Sequence, residues 1–145
     1  MKLDFFTIAG LMSFSASVLH IAIIFGGPAW YRFFGAGEAM AQMATQQLLK
    51  PTLITLSIAA ILAIFGSYAW SAAGIIPRLP FLKIVLIGIF SIYLLRGLAG
   101  LILPLVSNHP SITQNSASFW LWSSLICMIF AMTHLKALID HWYQL

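Results

Sequence analysis

Residues 81–103 read FLKIVLIGIFSIYLLRGLAGLIL, a stretch whose only charges are Lys83 near its start and Arg96 in its second half. Its length matches the ~20 apolar residues that ~30 Å of hydrocarbon demands. In hydrocarbon the backbone has no water to bond, so a single spanning stretch must be a helix. Runs of the same kind occupy about residues 5–25, 51–72 and 118–139. Four antiparallel spans with short connections predict an all-α, polytopic membrane protein whose helices form an up-down-up-down bundle. With no internal repeat and no composition break, the whole of 1–145 is expected to be one domain.

The composition agrees with this. Of 145 residues, 61% are hydrophobic and 7% charged, too few charges to clothe a soluble surface. The net charge of +4 rests on seven Lys and Arg scattered along the chain, so no basic stripe exists for nucleic acid. Cys127 is the single cysteine, which rules out an internal disulfide and any Cys-x-x-Cys redox pair. The N-terminal apolar run continues through Val18, Leu19 and Ile21 to Phe25, longer than a signal-peptide core, and is read as a retained first helix.

Between the first two spans lies GGPAWYRFFGAGEAMAQMATQQLLKP, residues 26–51. Gly26, Gly27 and Pro28 predict a stop for the first helix, and Pro51 suits the first turn of the second. From Glu38 to Leu49 there is no helix breaker, and Ala39, Met40, Met43 and Leu48 contrast with Gln42, Thr45, Gln46 and Gln47. A short helix lying in the membrane interface is expected there. Trp30, Tyr31, Phe33 and Phe34 in front of it suit headgroup-level anchors.

The segment GGPAWYRFFGAGE resembles one carried by small bacterial four-span inner-membrane proteins of uncharacterised function. The resemblance implies a fold and an inner-membrane location and brings no activity. Small multidrug exporters also have four spans, but their coupling glutamate lies in the first span, and here that span has no acid. Quinone-linked thiol oxidoreductases are excluded by the missing cysteine pair.

Two residues are costly where they stand. Arg96 lies well inside the third span, where an arginine costs about 2.5–3.5 kcal/mol on insertion scales and calls for a partner, a wet cavity or a route to the headgroups. His20 lies late in the first span, on a face shared with Ser13, Ala16 and Ser17. Both fall beneath the 26–51 connection, which holds Arg32 and Glu38. A polar partner for Arg96 is expected, either Glu38 or a loop carbonyl, and the candidate ligand-binding constellation is His20, Tyr31, Arg32, Glu38, Tyr93 and Arg96, with His109 near it. No catalytic residue, metal ligand or cofactor is assigned. His134 falls at the opposite depth from His20, so the two cannot flank one haem.

Two function classes follow. One is a non-enzymatic binding or accessory membrane protein that holds an anionic, lipid-like ligand or a partner membrane protein at an extracytoplasmic polar site. The other is a small proton-coupled transporter or a membrane-embedded enzyme acting on a lipid-like anion, with His20 and Glu38 as proton carriers. The missing second buried acid favours the first. No feature of the sequence sets an oligomeric state.

Lys2, Arg78, Lys83 and Lys136 flank one side of the predicted bundle and Arg32 and Lys50 the other, which places both termini in the cytoplasm of a cell with an inner membrane. A topology reporter fused after Leu145 should therefore report a cytoplasmic position. A periplasmic signal there would reverse the orientation and carry the candidate site to the opposite face.

Overall fold

The structure is a computed structural model and describes residues 4–145. Lys2, counted above toward orientation, lies outside the described residues. The long helices are α1 (Phe5–Phe33), α3 (Leu49–Ala72), α4 (Leu82–Val106) and α6 (Ala117–Asp140). A short helix α2 (Glu38–Thr45) joins the first two, and a single turn α5 (Pro110–Thr113) sits in the connection before α6. All four long helices are apolar and long enough to cross a membrane, and no strand occurs among the described residues.

The predicted stop at residues 26–28 is present as a kink at Gly27, which is out of helical geometry at φ 65° and ψ −152°, and a second helical stretch resumes beyond it and runs to Phe33. Glycine tolerates that φ without the Cβ clash that penalises other residues. Pro28 follows, contributing no N–H to the broken turn. Trp30, Tyr31 and Arg32 therefore ride on the last turns of α1. Gly35 and Gly37, both at positive φ, then reverse the chain into α2. The third span likewise runs past Pro104 to Val106.

Contacts run round a ring, with α1 against α3, α3 against α4, α4 against α6 and α6 against α1; the α1–α3 and α4–α6 pairs are the most extensive. Lipid tails are as apolar as leucine, so these pairs depend on close backbone approach more than on hydrophobic burial. Gly10 shows this for α1–α3, since a Cβ there would lie 2.1 Å from the Trp70 indole, whose Nε1 donates to the Thr7 carbonyl. At Gly100 of α4 a Cβ would meet Ser124 Oγ of α6 at 2.1 Å.

The four-way core gathers Phe6, Ala9, Leu62, Ala69, Leu82, Leu86, Ile89, Tyr93, Ala131, Ala137 and Leu138. It occupies the half of the bundle nearer the chain termini. At that terminal end Arg78 donates to the Gln144 and Leu145 carbonyls, and Lys83 donates to the Trp142 carbonyl beneath its own ring. Asp4 caps α1 and approaches His141 at 3.5 Å. At the opposite end a smaller cluster of Ile23, Tyr31 and Ala41 fastens α2 onto α1.

Gly10→Ala should therefore destabilise the α1–α3 pair by about 1–3 kcal/mol, the usual cost of overpacking. Gly88→Ala on α4, where an added Cβ meets nothing within 4 Å, should be neutral or mildly stabilising. Thermal unfolding in detergent measures both, and equal midpoints for the two variants would contradict the packing described.

Candidate functional site

Glu38 is taken by Arg32. The Gly35–Gly37 reversal brings the first residue of α2 back to the last turn of α1, and the guanidinium meets the carboxylate through Nε–Oε2 at 2.7 Å and Nη2–Oε1 at 2.9 Å. This two-pronged pairing is the geometry arginine and carboxylate favour. Both charges also suit their helices, the acid opening α2 and the base closing α1. Hydrogen bonding from Arg32 holds the Glu38 carboxyl below the usual carboxylate range, against a smaller opposing effect of burial. A depressed acid contributes stability above its unfolded-state value and loses it as pH falls through the folded one. With the side chains 48% and 51% exposed, water screens the pair and its contribution is small.

The expected Arg96–Glu38 pair therefore does not form. Arg96 is exposed on α4, with Nη2 3.5 Å from Ser123 Oγ and the guanidinium carbon 5.3 Å from the Trp120 ring centre. Its path runs over Gly100, where a Cβ would stand 2.7 Å from Nη1. Gly100 lies one turn nearer the α2 end, so the side chain reaches along the helix toward that interface. The Trp120 indole is held by its own bond to the Ile112 carbonyl, at 3.0 Å. All three acids of the chain face other partners, Asp4 at His141, Glu38 at Arg32 and Asp140 at Lys136. Among the described residues no carboxylate lies within ion-pair distance of Arg96.

The other predicted residues scatter. His20 is half-buried and donates from Nδ1 to the Ala16 carbonyl of its own helix at 2.8 Å, with no hydrogen bond or ion pair to Arg96 among the described residues. Tyr31 is 2% exposed and packs α2 onto α1, its hydroxyl without a hydrogen-bond partner among the described residues. The His109 carbonyl accepts from the Ile112 and Thr113 amides and starts α5. Tyr93 belongs to the four-way core. Of the six, only Arg32 and Glu38 are joined.

Tyr93 instead marks a buried polar cluster that the sequence reading passed over. Its hydroxyl shares a 3.0 Å hydrogen bond with Ser13 Oγ across the bundle, and its ring lies 5.3 Å from that of His134. His134 is 1% exposed; Nδ1 donates to the Phe130 carbonyl at 2.8 Å, leaving buried Nε2 without a partner. The sequence placed His134 only by its depth, opposite to that of His20, yet Phe130 and His134, four apart, already allowed the local bond. The cross-bundle meeting of Ser13 with Tyr93 left no such local trace.

Among the described residues no three His, Cys, Asp or Glu side chains converge as a metal site would require. Grooves line the surface among the described residues. One of about 690 Å³ lies at the terminal end beside Arg78, Phe81 and Lys83, and one of about 400 Å³ lies in the seam between α1 and α6. No family profile, curated protein or solved structure matches this chain.

Tyr93→Phe would strand Ser13 Oγ in the core and should cost about 0.6–1.7 kcal/mol, the range of interhelical hydrogen bonds in membranes. Arg96→Leu removes no ion pair and should leave thermal stability unchanged or raise it. The reverse order of the two variants in a detergent melt would make Arg96 a structural residue.

Proposed function

We propose that this multi-pass membrane protein is a non-enzymatic binding or accessory protein that holds an anionic group at Arg96, in the extracytoplasmic half of an inner membrane. The single observation behind this reading is the unmatched cation. Arg96 is exposed in a span, braced by Trp120 and Ser123, while each acid of the chain faces another base. Guanidinium binds phosphate and carboxylate oxygens in a fixed planar geometry, so a lipid headgroup and a partner's carboxylate share the chemistry it would accept. The enzyme reading loses support because His20 and Glu38, its expected proton carriers, are each engaged locally. The orientation with both termini cytoplasmic belongs to the same proposal and rests on the distribution of basic residues.

Native mass spectrometry of the detergent-solubilised protein with phosphatidylglycerol and phosphatidylcholine tests it. The wild type and Arg96→Lys should retain the anionic lipid preferentially, and Arg96→Gln should lose that preference. A preference unaltered in Arg96→Gln sinks the assignment.

One observation favours a second reading, a small proton-coupled transporter. The buried Nε2 of His134, whose ring lies 5.3 Å from that of Tyr93, has a free lone pair inside the bundle. Proton flux in liposomes, present in the wild type and abolished in His134→Gln, would move the reading to that class.

A further inference from the structure

We infer that the groove at the terminal end binds the phosphate monoester of an anionic lipid between Arg78 and Lys83. The site is separate from Arg96 and does not depend on the reading given above.

Residues 75–85 read IIPRLPFLKIV, and Pro77 and Pro80 keep the connection between α3 and α4 from becoming helical. Buried Ser71, at the end of α3, fixes that connection. Its Oγ donates to the Pro77 carbonyl at 3.0 Å and accepts from the Leu79 amide at 2.9 Å. Phe81 then takes a left-handed φ of 53° and turns the chain into α4. Arg78 and Lys83 both line the resulting groove of about 690 Å³, whose apolar wall is Leu79, Pro80, Phe81 and Ile84.

Both cations have donors to spare. Arg78 donates to the Gln144 and Leu145 carbonyls at 3.4 and 2.7 Å, and Lys83 to the Trp142 carbonyl at 2.7 Å. Guanidinium and ammonium carry more N–H groups than these bonds use. Among the described residues no acidic side chain lies within ion-pair distance of either, because Asp4 faces His141 and Asp140 faces Lys136. Two cations on one groove match a phosphate monoester, which carries close to two charges and three strong acceptor oxygens. A phosphodiester offers half that charge.

The apolar wall selects a lipid over a soluble phosphate. Phe81 and Ile84 are 77% and 71% exposed where α4 enters the hydrocarbon. Lys83 Nζ stands 3.8 Å from the centre of the Trp142 ring, and Tyr143 beside it is exposed, as aromatics at the headgroup level are. Basic residues flanking a span draw anionic lipids to this level. A soluble anion would answer the charges and leave the wall bare. A second copy of the chain would bring Asp4 and Asp140 to this end already facing bases.

The test uses the full chain in detergent, read by native mass spectrometry, with dioleoyl phosphatidic acid and dioleoyl phosphatidylglycerol as probes. The wild type should retain phosphatidic acid about tenfold over phosphatidylglycerol, since each basic residue adds to the attraction of the extra charge. Arg78→Gln combined with Lys83→Gln should erase that ratio, and Arg96→Gln should leave it unchanged. Arg78→Lys combined with Lys83→Arg should preserve it, which a role confined to holding the 142–145 turn would not. A ratio near one in the wild type, or an undiminished ratio in the double Gln variant, overturns the site and leaves the Arg96 reading untouched. Displacement of the lipid by an equal concentration of glycerol 3-phosphate overturns the lipid assignment and makes a soluble phosphate monoester the ligand. A second measurement needs no variant and uses the wild type in phosphatidylcholine vesicles containing phosphatidic acid with a diazirine near the glycerol end of its chain. Crosslinks concentrated at residues 78–84 and 142–145 support the site. Labelling spread evenly over the helix ends on that side, or a dimer that excludes label from residues 78–84, rejects it.

Discussion

A backbone amide in hydrocarbon has no water to bond, and nearly every polar feature of this structure answers to that constraint. It makes the spans helical, and it also directs their side chains. Ser57, Ser67, Ser91 and Thr133 each donate to the carbonyl four residues earlier, as do the imidazoles of His20 and His134. Polar groups satisfied within their own helix say little about neighbours. Ser13, Ser17, Trp70 and Tyr93 bond between helices, and these position the bundle.

Without a hydrophobic drive between helices, proximity comes from small residues and from these few crossing bonds. Ser17 donates to the Ala59 carbonyl at 2.7 Å, one turn from Ser13 and two from Gly10, so one face of α1 carries both the close approach and the hydrogen bonds. The large core side chains gather in the terminal half, and along Ile8 to Leu19 the α1–α6 seam leaves an apolar groove beside Ser15 and Ala16. A lipid-facing aperture is thus a consequence of where the small residues of α1 lie.

Charge follows the same economy. Glu38 had two arginines to choose from, and the choice was settled by chain length. Arg32 is six residues away across a glycine reversal, so bringing the pair together fixes little chain entropy, whereas Arg96 belongs to another helix pair. Once Glu38 was engaged, Arg96 had the headgroup region as its remaining anionic surroundings. It reaches that way over Gly100, whose missing side chain clears the path.

Much was already determined by the sequence alone: four spans, their antiparallel order, the short helix at Glu38 and the cost of Arg96. Each depends on composition and on spacing within one segment, which lipid converts directly into helix. The stop at Gly27 was legible in the sequence, but the helical stretch that resumes beyond it was not, since it is held by the packing of Tyr31 with Ile23 and Ala41. The pairing of Glu38, the Ser13–Tyr93 bond, the burial of His134 and the α1–α6 groove were decided by tertiary structure. Depth along a span can be read from residue number, but which way a side chain faces in a bundle depends on the rotation and tilt of each helix. Those follow from contacts between residues as far apart as Ser13 and Tyr93, which no local pattern records.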